Sequence, residues 1–241
     1  MRNTVLVSGG GSGLGLALVI SYLAKGDNVA TFTRNWNSTL NKLQREYPQN
    51  LYIGVFDINE KNSLKRFVKQ VREKFLSVDI LINNVGYLYE GLQVLTPDDE
   101  IERTIYANII SPFILIREVS GIMIRKKKGV IINISSINAV KGHKGVSLYS
   151  LSKAAMDGLT RSLAKELGPM NIRVNSVVPG FFDSNLVKDI HEQRRKGILK
   201  RTALPRLGSS DDVAKVVLFL TSDDASFITG QLIIVDGGIV C

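Results

Sequence analysis

Cysteine and histidine are scarce in this sequence of 241 residues. The cysteine is Cys241, and the two histidines are His143 and His191. A single cysteine cannot form an intrachain disulfide, and these three residues make a poor set of zinc ligands. We therefore expect no resident metal, and we expect other side chains to carry any chemistry.

Long apolar segments are also lacking. No charge-free apolar run reaches the roughly 18 residues that a membrane-spanning helix needs. The chain enters its first apolar run, residues 4–7, without a separate hydrophobic stretch of the kind found in signal peptides. These absences predict a cytoplasmic protein that neither spans a membrane nor is exported.

The composition is close to that of an average globular protein, with 44% hydrophobic and 22% charged residues. Such a chain is not a disordered polyelectrolyte, and its length suits one large core better than two full domains. We therefore expect residues 1–241 to form a single domain. The 31 basic and 22 acidic residues give a net charge of +9, which calls for an anionic partner or ligand.

Short apolar runs alternate with longer segments of helical pattern. About seven strands are predicted, at residues 4–7, 29–32, 51–55, 80–82, 130–134, 174–178 and 232–235. Because these runs are continuously apolar, both faces of the sheet should be covered, which is typical of a parallel sheet. We predict a doubly wound α/β fold with helices on both faces, including helices at 98–124 and 147–167. Pro112 should bend or interrupt the first of these helices.

The least regular segment is 180–205, which is polar, basic and long for a connection in a compact domain. Loops of this kind are usually lids or disordered. We predict that this segment is a substrate-binding lid.

A glycine-rich turn follows the first predicted strand directly. A strand, such a turn and a helix start place backbone N–H groups and a positive helix end against a pyrophosphate. The predicted contacts are Gly9, Ser12, Gly13, Leu14 and Gly15. Their spacing is G-x-x-x-G-x-G, and G-x-G-x-x-G is not satisfied, so a turn without a ligand is the alternative.

The end of the second predicted strand indicates which dinucleotide binds. Arg34 stands there without a neighbouring carboxylate, and a guanidinium forms paired hydrogen bonds with a phosphate. NADP(H) is therefore favoured over NAD(H). Asp57 and Ile58 end the third strand, where a carboxylate could accept from the adenine amino group. The alternatives are a solvated Arg34 and an ordinary loop carboxylate at Asp57.

Tyr149 and Lys153 stand four residues apart on a predicted helix, so their side chains share one face. A nearby ammonium favours the phenolate and should lower the pKa of the tyrosine from about 10. Ser136 lies at the end of the fifth strand and could hold a carbonyl oxygen at the same sheet edge. The alternative is an ordinary pair on a helix surface.

Taken together, these motifs resemble those of the short-chain dehydrogenases/reductases of the single-domain type, over nearly the whole chain. In chain order, the motifs are Gly9, Gly13 and Gly15; Asp57-Ile58; Asn83-Asn84-Val85-Gly86; Asn108; Ser136; Tyr149 and Lys153; Arg173-Val174-Asn175; and Pro179-Gly180. The resemblance implies a Rossmann fold and a reaction that couples hydride transfer from a bound cofactor to general acid catalysis.

The resemblance also implies roles for single residues. Tyr149 would be the general acid, Ser136 would orient the substrate, and Lys153 would bind the nicotinamide ribose and lower the pKa of Tyr149. Asn108 would kink its helix and hold a water of a proton relay. The implied cofactor contacts further along the chain are Asn84, Gly86, Pro179, Gly180 and Ser184.

Four positions depart from the usual pattern of that family. Val85 replaces the usual alanine, which could alter the fit of the adenosine. Ser8 and Ser184 replace threonines and keep the hydroxyl. Ser12 stands where many NADP-dependent relatives carry a basic residue, so the NADP prediction depends on Arg34 alone.

The carboxyl-terminal part resembles 3-oxoacyl-[acyl-carrier-protein] reductases most, at residues 197–199, 206–208, 227–230 and 235–238. Sugar and steroid dehydrogenases share these features and remain alternatives. Basic residues occur at 125–128, 141, 144, 194–196 and 200–201, together with His143. We expect much of this charge to collect at the site entrance, where it would attract an acidic acyl carrier protein or a coenzyme A phosphate. A general surface excess that serves solubility is the alternative.

Two alternatives to an enzyme are a nucleic-acid-binding protein and a non-catalytic sensor that binds the cofactor. No nucleic-acid-binding module is recognisable, so we expect no nucleic-acid partner. A cofactor-binding sensor on the same fold would not need Ser136, Tyr149 and Lys153 together. Finally, the family resemblance implies a homotetramer, or a dimer, with the apolar segment 232–240 buried between subunits.

Overall fold

The structure, a computed structural model, describes residues 2–60, 62–182 and 192–241, with the backbone alone at 192–195. Seven strands form one sheet: β1 (Thr4–Ser8), β2 (Asn28–Thr33), β3 (Leu51–Val55), β4 (Ile80–Asn83), β5 (Gly129–Ile134), β6 (Ile172–Pro179) and β7 (Leu232–Val235). All pairings are parallel, in the order β3-β2-β1-β4-β5-β6-β7. The predicted doubly wound parallel sheet is confirmed, with strand ends shifted by at most two residues.

The strand order reverses direction between β1 and β4. Strands β2 and β3 lie on one side of β1, and the chain then crosses to β4 and continues outward to β7. In an open parallel sheet, ligands bind outside the carboxyl ends of the strands at such a reversal. The topology therefore places a binding crevice beside the ends of β1 and β4.

Helices cover both faces of the sheet. They are α1 (Gly13–Ala24), α2 (Ser38–Glu46), α3 (Ser63–Phe75), α4 (Asp98–Ile105), α5 (Ser111–Lys126), α6 (Ser147–Leu167), α7 (Glu192–Leu199) and α8 (Ser210–Leu220). Buried side chains of α1 and α8 pack on one face of the sheet, and those of α3, α5 and α6 pack on the other. Because both faces are buried, the strands carry the continuous apolar runs seen in the sequence.

The helix predicted at 98–124 has three parts. A π-helical turn, Tyr106–Ile110, separates α4 from α5. The interruption precedes Pro112, which lies in the first turn of α5, where a proline is tolerated because that N–H needs no helical partner. Pro112 cannot donate to the carbonyl of Asn108, four residues earlier, so the wider turn forms just before the proline.

The same segment, Asp98–Lys126, is long and apolar enough to cross a membrane when judged by length and composition alone. However, 56% of its most apolar window is buried inside the protein. Its apolar side chains Leu115, Val119 and Met123 pack against the sheet and α3. A helix buried to this extent is typical of the core of a folded domain.

The segment predicted as a lid is described in part. Residues 183–191 lie outside the described residues, and the lid function of 180–205 stays a prediction. Near the end of α7, Ile198 packs with Ile137, Val178 and Ile239 in a small third core. The chain from Ile198 onward is therefore anchored beside the carboxyl end of β6.

Candidate active site

A cavity of about 820 Å³ opens at the carboxyl ends of the strands, at the reversal between β1 and β4. Its lining includes most of the site residues predicted from the sequence: Gly9, Ser12, Gly13, Leu14, Gly15, Arg34, Asp57, Ile58, Asn84, Gly86, Ser136, Tyr149, Lys153, Pro179 and Gly180. Asn108 lies behind this lining, and Ser184 lies outside the described residues. Fifteen residues from distant parts of the chain thus meet around one space.

The glycine-rich turn has the shape of a phosphate cradle. Gly9 and Gly13 have φ of 73° and 53°, the left-handed region that favours glycine. A Cβ on Gly15 would collide with the carbonyl oxygen of Gly9, whereas a Cβ on Gly13 would meet no atom of the described residues within 4 Å. The backbone is therefore closely packed behind the turn and open toward the cavity, at the positive end of α1.

Ser8 joins the ends of β1 and β4. Its hydroxyl oxygen accepts hydrogen bonds from the backbone N–H groups of Asn84, at 2.8 Å, and Val85, at 2.9 Å. The side-chain amide of Asn84 donates in turn to the carbonyl of Ser8 at 3.0 Å. A serine at this position therefore supplies the hydroxyl that fixes the loop at the reversal of the strand order.

Arg34 and Asp57 mark the far end of the cavity. Arg34 is exposed there, just beyond β2. One carboxylate oxygen of Asp57 accepts hydrogen bonds from the backbone and side-chain N–H groups of Asn59, both at 2.9 Å. These two hydrogen bonds stabilise the turn that follows β3. The other carboxylate oxygen of Asp57 is the one that could accept a hydrogen bond from a ligand.

Ser136, Tyr149 and Lys153 meet at the other end of the cavity, and all three are at least nine-tenths buried. The Lys153 Nζ lies 5.7 Å from the centre of the Tyr149 ring and donates a hydrogen bond of 2.9 Å to the carbonyl oxygen of Ile134. A Cβ on Gly86 would lie 3.2 Å from this Nζ, so a larger residue there would require the lysine to shift by a few tenths of an ångström.

Burial controls the ionisation of these groups. It raises the pKa of Tyr149 to about 12, although the Ser136 hydroxyl acts in the opposite direction. Burial also lowers the pKa of Lys153 to about 8, with the charge of Asp157 opposing it. The sequence predicts a lowered pKa for Tyr149. The structure gives the opposite direction, because loss of solvent around the phenol outweighs the influence of its neighbours.

Asn108 is 1% exposed and lies in the π-helical turn. Its amide donates to the Tyr87 carbonyl and to the Ser152 hydroxyl, both at 2.8 Å, and its oxygen accepts from the Tyr87 N–H at 2.7 Å. Asn108 therefore joins the loop after β4 to α6. The π-helical turn interrupts the helix at this residue, while the kinking of the helix by Asn108 and its role in holding a water stay predictions.

The predicted concentration of basic residues at the entrance is correct in part. His143, Lys144 and Arg201 line the cavity, and Arg103 stacks on the Tyr87 ring at 4.2 Å. Residues 125–128 precede β5 and therefore lie at the amino-terminal edge of the sheet, opposite the cavity. The expectation for that run is wrong, because residues before and after a parallel strand lie at opposite edges.

Sequence reasoning missed Asp157, a buried carboxylate four residues beyond Lys153 on α6. The four-residue spacing of Tyr149, Lys153 and Asp157 is a signal that could have identified it, because such residues share a helix face. His143, which the sequence predicts near the entrance, has its ring edge to face with the Phe181 ring at 6.4 Å. Among the described residues, no group of three histidine, cysteine or acidic side chains could hold a metal ion.

Comparison with known proteins gives matches over nearly the whole chain. A model of the family described as "Enoyl-(Acyl carrier protein) reductase" matches residues 9–240. The 3-oxoacyl-[acyl-carrier-protein] reductase FabG of Thermotoga maritima is 33% identical over 237 residues, which are 98% of this chain and 96% of the relative. The protein of the same name from Buchnera aphidicola is 35% identical over 239 residues, 98% of this chain and 97% of the relative.

Solved structures give the same result. A 4-hydroxyisoleucine dehydrogenase complexed with NADH superimposes with a TM-score of 0.94 at 30% identity, covering 99% of both chains. A short-chain type dehydrogenase/reductase from Mycobacterium ulcerans superimposes with a TM-score of 0.92 at 31% identity, covering 98% of this chain and 89% of the other.

Proposed function

Since the chain belongs to the short-chain dehydrogenase/reductase family of nicotinamide-dependent oxidoreductases, we propose that it reduces 3-oxoacyl thioesters, carried by an acyl carrier protein or coenzyme A, to 3-hydroxyacyl products with NADPH. The observation that carries this proposal is the meeting of Ser136, Tyr149 and Lys153 at one end of a cavity whose other end is a phosphate cradle.

The residues present fit a dinucleotide. The open side of Gly13 and the first turn of α1 would receive the pyrophosphate, and Asn84 and Gly86 would border the nicotinamide riboside. Lys153 lies beside Gly86, within reach of that ribose. When bound, the nicotinamide supplies the hydride that is transferred to the carbonyl carbon.

The side chains account for the proton. With a pKa raised to about 12, Tyr149 is protonated at neutral pH, as a general acid must be before it gives its proton to the ketone oxygen. The Ser136 hydroxyl donates a hydrogen bond to the same oxygen and orients the carbonyl, and the Lys153 ammonium stabilises the phenolate that forms. Burial of Tyr149 therefore keeps it in the protonated form from which reduction begins.

The preference for NADPH depends on Arg34. Its guanidinium stands at the adenosine end of the cavity, where a 2′-phosphate would lie, and can pair with it through two hydrogen bonds. Asp57 also lines this end of the cavity, and one of its carboxylate oxygens accepts two hydrogen bonds from Asn59. This arrangement supports NADP(H) over NAD(H).

The entrance supports an anionic carrier. Lys144 and Arg201 give it positive charge, while Phe181 and Phe182 offer an apolar wall to an acyl chain. The named relatives are reductases of carrier-bound 3-oxoacyl groups. Both features suit a substrate with an apolar acyl group and a phosphate-bearing arm.

A dehydrogenase of a small secondary alcohol is the second candidate. The NADH-bound 4-hydroxyisoleucine dehydrogenase, which superimposes on 99% of this chain, favours it. The two candidates differ in cofactor and in the size and charge of the substrate. A non-catalytic sensor would bind a dinucleotide and reduce nothing.

We also propose a cytoplasmic homotetramer. Phe113 on α5 and Leu151 on α6 are half exposed, and Phe227, shortly before β7, is fully exposed. Apolar side chains at these two places would be covered if the long helices and the last strand each met a second subunit. Light scattering of the purified protein measures the mass directly.

The proposed reaction is tested by NADPH oxidation with a 3-oxoacyl thioester on an acyl carrier protein. Three other assays serve as comparisons. The first uses the matching enoyl thioester, the second uses a small secondary alcohol with NAD⁺, and the third uses the 3-oxoacyl substrate with NADH in place of NADPH. We expect turnover with the 3-oxoacyl substrate and a loss of at least about 100-fold in Tyr149→Phe, which lacks the proton. If the protein binds NADPH but reduces no ketone, the proposed reductase activity is excluded.

A further inference from the structure

Asp157 is a buried carboxylate that the proposed reaction does not use. It is 5% exposed, and Lys153, one helical turn earlier on α6, is 4% exposed. Tyr149, Lys153 and Asp157 follow one another at intervals of four residues, so their side chains lie along one face of the helix. A carboxylate in such surroundings is unfavourable unless hydrogen bonds and an opposite charge compensate it.

A chain of buried polar side chains leads across the sheet toward Asp157. The Asn83 amide donates to the Asn133 side-chain oxygen at 2.8 Å, and the Asn133 amide donates to the Thr160 hydroxyl at 2.8 Å. The hydroxyls of Thr160 and Ser176 are 2.9 Å apart. Ser176 in turn hydrogen-bonds the Asp157 carboxylate. Strands β4, β5 and β6 thereby contribute to one interior network.

Ser135 connects this network to the lysine. Its hydroxyl donates to the backbone carbonyl of Lys153 at 3.3 Å and also interacts with the Asp157 carboxylate. The next residue back, Ile134, accepts the hydrogen bond of the Lys153 ammonium. The end of β5 therefore holds both members of the charged pair.

The hydrogen bonds around Asp157 are incomplete. Among the described residues, its Oδ1 has no hydrogen-bond partner. Burial raises the pKa of Asp157, and the hydroxyls of Ser135 and Ser176 and the charges of Arg161 and Lys153 act against that rise. The charged carboxylate is thus favoured first by the two hydroxyls and then by the charges of Arg161 and Lys153.

The groups that face this pair are few. Arg161 and Lys153 are the charged side chains that act on Asp157, and both lie on α6. The elements packed against the same face, β5, β6 and the π-helical turn, present Ser135, Ser176 and Asn108, which do not titrate. Tyr149 faces Lys153 as a neutral phenol at neutral pH.

We propose that Asp157 is a positioning residue whose buried negative charge keeps the Lys153 ammonium charged beside Tyr149 and the cofactor site. It acts through Lys153 and does not touch the substrate. The inference rests on the proposed function only in the use of Lys153 to bind the cofactor. It adds a fourth residue, outside the cavity, to the group of side chains on which the reaction depends.

The test is the affinity for NADPH, measured by fluorescence across a range of pH. Burial and Asp157 together set the pKa of Lys153 at about 8, so the affinity of the wild type should fall as pH rises through that value. In Asp157→Asn, which keeps the shape and removes the charge, the midpoint of this fall should move down by about one unit. Asp157→Glu, which keeps the charge, should restore it.

Thr160→Val is the matched control, because it breaks the same buried network without changing a charge. It should lower the midpoint of thermal unfolding and leave the pH midpoint of NADPH binding in place. If Asp157→Asn and Thr160→Val have the same pH midpoint as the wild type, Asp157 has only a structural role and the proposal is overturned.

A second measurement needs no variant. In ¹³C NMR of the wild type, with the Asp157 carboxyl carbon assigned by through-bond correlation, the carboxyl should be ionised at neutral pH. A protonated Asp157 at neutral pH would overturn the proposal, even if Asp157→Asn fails to fold. Absence of NADPH binding by the wild type would instead contradict the proposed function and leave the NMR result as the test of Asp157.

Discussion

The ammonium of Lys153 donates a hydrogen bond of 2.9 Å to the backbone carbonyl of Ile134, which fixes a buried cation at the end of the central strand β5. Hydrogen bonding to the charged form favours that form, whereas burial disfavours it. Burial lowers the pKa of Lys153 to about 8, with the charge of Asp157 acting against it, so the ammonium loses its charge close to neutrality.

The first prediction is a pH dependence. Below a pKa of about 8 the lysine is charged, and above it the lysine is neutral, so kcat/KM for reduction should be level at neutral pH and fall as pH rises through about 8. Tyr149, with a pKa raised to about 12, stays protonated over this range and should not contribute to the fall. A profile that stays level well above pH 8 would show that the charge of Lys153 is not required.

The second prediction concerns the cofactor. Arg34→Asp places a carboxylate at the adenosine end of the cavity, where it repels a 2′-phosphate and can accept from ribose hydroxyls. The ratio of NADPH to NADH affinity should fall by at least about tenfold, as measured by fluorescence titration of both cofactors. Arg125→Asp carries the same change of charge at the opposite edge of the sheet and should leave the ratio unchanged. Equal ratios in the two variants would contradict the role of Arg34.

The third prediction concerns the entrance. Lys144→Glu reverses a charge in the cavity lining, so kcat/KM for a carrier-bound 3-oxoacyl substrate should fall by roughly threefold to tenfold. The loss should shrink at high salt and should be small for a short, neutral ketone. Lys25→Glu, just after α1 and away from the cavity, is the control. Similar losses with charged and neutral substrates would argue against electrostatic attraction of the carrier.

The fourth prediction concerns Ser8. Ser8→Ala removes the acceptor of two backbone hydrogen bonds, from Asn84 and Val85, and should lower the free energy of unfolding by about 1–3 kcal/mol. The affinity for NADPH should fall as well, because the loop that borders the cofactor site loses its anchor. Ser8→Thr retains the hydroxyl and should behave like the wild type in both measurements. If Ser8→Ala unfolds at the same denaturant concentration as the wild type, the two hydrogen bonds contribute nothing to stability.

Where a relation depends on residue type at a fixed spacing, the sequence predicted which residues line the cavity. Gly9, Gly13 and Gly15 follow a strand and open a helix, and Tyr149 and Lys153 share a helix face. Such relations are local, because backbone geometry over a few residues determines them. They were therefore readable before any tertiary contact was known.

Contacts that depend on which strands are neighbours in the sheet could not be predicted from local sequence patterns. The hydroxyl of Ser8 meets Asn84 because β1 and β4 pair, and Ser176 reaches Asp157 because β6 packs under α6. Residues 125–128 lie at the opposite edge from the cavity because they precede β5. Charge counted along the chain therefore overstated the positive charge at the entrance.

The sequence by itself determined the parallel α/β fold, the strands to within two residues, and most of the side chains that line the cavity, because each follows from hydrophobic pattern or short-range spacing. Only the tertiary structure decided how those side chains ionise and what supports them. Desolvation raises the pKa values of Tyr149 and Asp157 and lowers that of Lys153. It depends on everything packed around a group, and no local pattern contains that information.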